Sequence, residues 1–147
     1  MQLIEEIGEP GRAEQVVLDK LAQGIKIPGF GHRAYRCEDP RVGPLRDYAD
    51  RVTDFKGKKV NFEITREIER VVQERTKVYP NVDLYTASLY DAMGLERELF
   101  TPVFAVSRIV GWTSHILEQW ADNRLIRPRA EFCGRKNLVY SEISART

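Results

Sequence analysis

Apolar residues recur at helical intervals through almost the whole chain, and polar or Gly/Pro punctuation separates the segments. Leu3, Ile4 and Ile7 share one helical face, which Gly8 ends. No Ser, Thr, Asp or Asn stands ahead of them as a cap, so the segment is expected to open in mid-helix and the chain to be part of a longer one. Pro10 starts a second helix with Val16, Val17, Leu18 and Leu21 as its apolar positions, closed by Gly24. Residues 24–36, Gly-Ile-Lys-Ile-Pro-Gly-Phe-Gly-His-Arg-Ala-Tyr-Arg, are too rich in glycine and β-branched side chains for helix and read as a loop or short hairpin. Asp39-Pro40 has the form of a cap followed by a first-turn proline, predicting a helix to about Phe55 that Lys56 to Lys59 terminates. Phe62, Ile64, Ile68, Val71 and Val72 mark a long helix through about Lys77. Tyr79-Pro80-Asn81 is a turn, with Asn81 placed to cap a helix from Val82 to Met93 that Gly94 stops. Thr101-Pro102 repeats the cap-plus-proline device and predicts a helix to about Asn123. From Arg127-Pro128 to Thr147 the pattern is irregular. Strand signal is minor, so the fold is expected to be mainly α.

Composition narrows the function classes. With 147 residues, one ordinary domain can bury roughly 68% of its unfolded surface. Hydrophobic residues at 42% rule out intrinsic disorder. Lys+Arg 23 against Asp+Glu 22 leaves a net charge of +1, and the arginines are dispersed, which argues against a nucleic-acid binder. No apolar run approaches the roughly 18 residues that would span a bilayer. The acidic start Met1 to Glu6 is no signal peptide, and Cys37 and Cys133 make no disulfide framework, so a cytoplasmic location is the expectation.

Chemistry is then sought among few residues. His32 lies between glycines on the loop, where the backbone can approach a ligand closely. His115, beside Trp112 and Ile116 in a helix, keeps the commoner role of a structural hydrogen-bonding histidine. Arg41 falls at the start of the helix opened by Asp39, a good anion position unless it merely pairs with Asp39. Asp83 in a helical first turn is either a dipole-stabilised acid or a general base that burial would tune. Arg108 interrupts an apolar stretch and would need an anion if that face is buried. Arg127 and Arg129 bracket Pro128. Cysteine and histidine are too few for a zinc site, and Gly29-Phe-Gly31 lacks the rest of a phosphate-binding fingerprint, so no metal is expected.

Four blocks together resemble citrate synthase. Gly29-Phe-Gly-His-Arg-Ala-Tyr-Arg-Cys-Glu-Asp-Pro-Arg41 is similar to the family's histidine and DPR signature, and Asn81-Val-Asp-Leu-Tyr85 to its NVD segment. Phe104-Ala-Val-Ser-Arg108-Ile-Val-Gly-Trp112 and Ile126-Arg-Pro-Arg129 are similar to its two later arginine motifs, in the same order. The resemblance implies condensation of acetyl-CoA with oxaloacetate to citrate, a reaction of the tricarboxylic acid cycle, by an acyltransferase with no resident cofactor. It implies His32 as the group polarising the ketone and Asp83 as the base at the acetyl methyl. Arg41, Arg108 and Arg127 would clamp carboxylates, Arg127 in a partner subunit's site, with Phe104 beside the substrate. Lys26, Ile27, Gly29, Phe30 and Gly31 would hold the CoA adenine through their backbone, with Arg36 facing CoA phosphate.

The same resemblance implies that residues 1–88 form most of a small, mobile domain lacking its start. Residues 89–147 would be C-terminal helices and tail of a larger domain. The family's other catalytic histidine, in a His-Gly-Gly segment, has no counterpart here, so the chain alone is expected to be inactive. An apolar face on the helix from Pro102, including Val103, Val110 and Ile116, would lack its usual cover, predicting a homodimer or association with an N-terminal citrate synthase part. A 2-methylcitrate synthase and citryl-CoA lyase chemistry share this motif logic. A non-catalytic helical module binding CoA, a dicarboxylate or a partner chain is the alternative class.

Overall fold

The computed structural model describes residues 1–145. Its helices are α1 (Gln2–Ile7), α2 (Ala13–Ala22), α3 (Val42–Phe55), α4 (Lys59–Thr76), α5 (Val82–Met93) and α6 (Phe100–Ala121). Short 3-10 turns at Pro10–Arg12, Arg97–Leu99 and Ile143–Ala145 complete the regular structure. Among the described residues the β structure is one antiparallel bridge between Phe30 and Pro80. The expected mainly α fold is what the chain forms. Among the described residues no helix is long and apolar enough to cross a membrane.

Two compact units divide the chain, residues 1–108 and residues 109–147. In the first, α4 is the central helix. It buries Phe62, Ile64, Thr65, Ile68, Glu69, Val71 and Val72, more than one face, because α1, α2, α3 and α5 all pack on it. The remaining core comes from Ile4, Ile7, Ala13, Val17, Ile27, Val42, Ala49, Leu84, Tyr85 and Leu89. Burying each large apolar side chain contributes roughly 1.5–3 kcal/mol, and this shared core fixes α3 against α5. In the second unit the rest of α6 and the segment after it are exposed, including Ile109, Val110, Trp112, Ile116, Leu117 and Trp120.

Three helix starts differ from expectation, for local reasons; at the first, Pro10 opens a 3-10 turn, Pro10–Arg12, that runs on into α2 at Ala13. Helix α3 begins at Val42 with Arg41 at its cap position, because Asp39 folds back as a turn: its Oδ1 accepts the Arg41 N–H at 3.0 Å and its carbonyl accepts the Val42 N–H. Helix α6 starts at Phe100, since the 3-10 turn at Arg97–Leu99 runs straight into it, leaving Thr101 and Pro102 within the first turn rather than ahead of it. Proline is tolerated there because those N–H groups have no helical acceptor. It ends at Ala121, two residues short of the expected end. Asn81 and Gly94 do cap and stop α5 as the pattern predicts.

Candidate functional site

The glycine loop is docked on the start of α5 by one asparagine. The Asn81 N–H donates to the Gly29 carbonyl and its Nδ2 to the Gly31 carbonyl, each at 2.9 Å, while the Gly31 N–H donates to Tyr79 O. The same Asn81 offers Oδ1 to the Asp83 N–H at 2.9 Å, capping the helix. Gly29 has φ +89° and a Cβ there would lie 3.0 Å from Leu84 Cα, so only glycine allows this close approach to α5. The sequence segments of His32 and Asp83, about fifty positions apart, are thereby joined through a single side chain.

His32 stands exposed beyond this junction. Its Nδ1 accepts the N–H groups of Ala34 (3.0 Å) and Tyr35 (3.1 Å), and its ring lies 4.4 Å from that of Tyr35. A ring nitrogen that accepts two amides carries no proton, so in the neutral imidazole the proton belongs to Nε2, free to donate. Arg41 is forked onto Asp39, Nε to Oδ1 at 2.9 Å and Nη2 to Oδ2 at 2.7 Å. Asp39 is 1% exposed, and the Arg41 hydrogen bonds hold its carboxyl down at about 2 against the opposing effect of burial. Asp39 in turn raises Arg41, and the charge of Asp83 adds to that rise in smaller measure. The pairing expected as the plain alternative for Arg41 is therefore present, yet the guanidinium is half-exposed and keeps donors to spare.

Asp83 and Gly29 line one groove of about 440 Å³ together with Phe104, Phe100, Thr101, Thr86, Ala87 and Arg97. A ring contact of Tyr90 with Phe100, centroids 5.3 Å apart, holds the start of α6 on α5 and so sets Phe104 in that groove. Asp83 is exposed, not buried as a tuned base would be in a closed site. Lys26 and Arg36 are exposed, Phe30 is half-buried, and Ile27 at 7% exposure turns its side chain into the core, leaving its backbone to a ligand. Arg108 is exposed because its stretch of α6 is not buried in this chain, so the demand for an anion does not arise. Arg127 and Arg129 lie in the second unit, exposed and outside regular helix; His115 lies in α6, exposed to solvent rather than held in a core as expected, with Nδ1 3.6 Å from Glu118. Among the described residues no group of three His, Cys, Asp or Glu is arranged to hold a metal.

The pattern along the chain gave no notice of a polar cluster beneath the site. Arg46 of α3 donates from Nε to Tyr85 Oη at 3.2 Å and from Nη2 to Glu69 at 2.5 Å and Glu38 at 2.8 Å. Tyr85 Oη donates in turn to Glu69, and the guanidinium carbon lies 5.3 Å from the Tyr85 ring centre. Burial, then the Glu69 hydrogen bond, raise the Tyr85 phenol. Burial works to lower Arg46, but hydrogen bonds to Tyr85 and Glu38 and the Glu69 charge outweigh it. The available signal was spacing: Arg46 lies three and four positions from Ala49 and Val42, and Glu69 likewise from Val72 and Thr65, on core-facing stripes.

Residues 1–129 match the family described as citrate synthase, C-terminal domain. The chain is 44% identical over 146 residues to citrate synthase 2 of Bacillus subtilis, covering 99% of this chain and 39% of that protein. It is 37% identical over 134 residues to a 2-methylcitrate synthase of Shewanella oneidensis, covering 91% of this chain and 36% of the relative. A citrate synthase of Thermoplasma acidophilum, solved as a ternary complex with carboxymethyl coenzyme A and oxaloacetate, superposes with a TM-score of 0.83 at 30% identity, over 99% of this chain and 40% of that one. The chain thus spans about 40% of the length of the relatives it matches.

Proposed function

This chain belongs to the citrate synthase family, and on that premise we propose that it carries part of the active site of a citrate synthase-type acyltransferase. Asp83 takes a proton from the methyl group of acetyl-CoA. The resulting carbon nucleophile attacks the ketone carbon of oxaloacetate, forming a carbon–carbon bond, and the ketone oxygen gains a proton as an alcohol. Water then cleaves the thioester, releasing citrate and CoA. His32, with Nδ1 occupied by two amides, presents Nε2–H to the ketone oxygen and stabilises the charge that develops there.

Arg41, fixed by Asp39 but with donors free, grips a carboxylate of oxaloacetate; Arg108 and, from a partner subunit, Arg127 complete the clamp. Phe104 shapes the groove beside Asp83. The backbone of Lys26, Ile27, Gly29, Phe30 and Gly31, with Arg36, receives CoA, which enters as substrate rather than as a resident cofactor. In this reading residues 1–88 act as the small domain and residues 89–147 as helices of the larger one. The apolar side chains exposed on the second unit go with association, either with another copy or with a separately supplied N-terminal part.

One observation carries the reading: Asn81 ties the His32 loop to the helix that presents Asp83, so acid–base and electrophilic groups share one rigid junction. Calorimetric titration of oxaloacetate tests it. The chain is expected to bind, and His32→Ala to bind about three- to tenfold more weakly, as loss of one hydrogen bond requires. Absence of binding, or equal affinity in His32→Ala, contradicts the reading. Similarity to a 2-methylcitrate synthase supports a second reading, a 2-methylcitrate synthase, and comparing acetyl-CoA with a longer acyl-CoA in a complete active site separates the two.

A further inference from the structure

Arg46 occupies a place that none of the proposed catalytic roles uses. Its Nη2 reaches both Glu38, the residue next to Asp39, which holds Arg41, and Glu69 of the central helix. Its Nε reaches Tyr85, two residues beyond Asp83. Tyr85 is fully buried and Glu69 is 7% exposed, so neither can meet a substrate. The polar groups are mutually satisfied: Tyr85 donates to one Glu69 oxygen while Arg46 donates to the other. Burial of such a network is stable only when complete, and a complete one is rigid.

We infer that Arg46 is a positioning residue, a strut whose Glu38 arm holds the segment bearing Arg41 at a fixed distance from the helix bearing Asp83, and so sets affinity for a dicarboxylate. The inference rests on the functional reading above. Segment 32–40 contains no regular element of its own, so its geometry depends on such ties. The Arg46–Glu38 contact is the outer one, with Glu38 43% exposed, and Glu38 can be altered while Arg46 Nη2 keeps its bond to Glu69.

Glu38→Gln in the full chain tests this, with two readouts. Hydrogen exchange at the Arg41 amide, bonded to Asp39, is expected to rise at least threefold without any ligand. Oxaloacetate affinity is expected to fall three- to tenfold, while the melting temperature stays within about 4 °C, as for an exposed ion pair. The direction of the affinity change is diagnostic. Oxaloacetate is a dianion, so a Glu38 that mattered only through its charge would, once neutralised, allow tighter binding. Glu14→Gln, which frees an equally exposed carboxylate partner of Arg70, serves as the control and should weaken nothing. Unchanged or tighter binding, unchanged Arg41 exchange, or a melting temperature lowered by more than about 10 °C each overturn the strut. Because exchange is read without ligand, it judges the strut even where the unaltered chain fails to bind oxaloacetate, an outcome that would count against the functional reading instead.

Discussion

A covered carboxylate that meets both nitrogen arms of one guanidinium is a charge with little to gain from water and much to lose by protonation. Asp39 is in that position, and its carboxyl is held down to about 2 by Arg41. Since the folded-state pKa is the lower one, the pair's contribution is complete above the ordinary carboxylate value, near pH 4, and is lost as pH falls from there toward 2. With half-exposed Arg41 screened by solvent, that contribution is about 1–2 kcal/mol. Asp39→Asn should therefore destabilise the chain at pH 6, and the gap to the unaltered chain should narrow on acidification to pH 2.5 in urea unfolding. A gap of constant size across that range would show that Asp39 is protonated alike in both states. His32 illustrates the same economy at a neutral group: two backbone amides choose its tautomer and leave one donor outward.

Among the elements, the loop–helix junction depends on a glycine. At Gly29 a side chain would have to adopt φ +89° and would press on the Leu84 backbone. Gly29→Ala is expected to cost about 1–3 kcal/mol in urea unfolding, from conformational strain before any contact is counted. A loss below about 0.5 kcal/mol would mean the loop does not sit on α5 as described. Features of this kind were legible in the sequence because they are local: Asn81 caps α5, Gly94 stops it, and Gly29 and Gly31 mark a tight backbone. The start of α3 was displaced because Asp39 spends its carboxylate on a turn to Arg41 instead of on a helical first turn. The start of α6 was displaced because a 3-10 turn already supplied the nucleus. Arg46, Glu69 and Tyr85 went unread for a different reason. Their partners lie 16 to 39 positions away, and no local preference reports a pairing that only the packed α3, α4 and α5 create.

Over the whole molecule, the mainly α architecture followed from helical periodicity and the family from four short motifs, yet the chain spans about 40% of its relatives' length. Of the residues proposed above to act on substrate, His32, Arg41 and Asp83 belong to the first unit and Arg127 to the second. Asp83 is open to solvent, and closure by further protein surface would both dry the groove and tune the acid. The measurement that bears most directly on this account is CoA release from acetyl-CoA and oxaloacetate by a mixture of this chain with the part of the Bacillus subtilis relative that it does not cover. Release is expected only from the mixture, and Asp83→Asn in this chain should lower it by about 10²- to 10⁴-fold, the loss typical of a general base. A mixture that releases no CoA, or one whose rate survives Asp83→Asn unchanged, would contradict it.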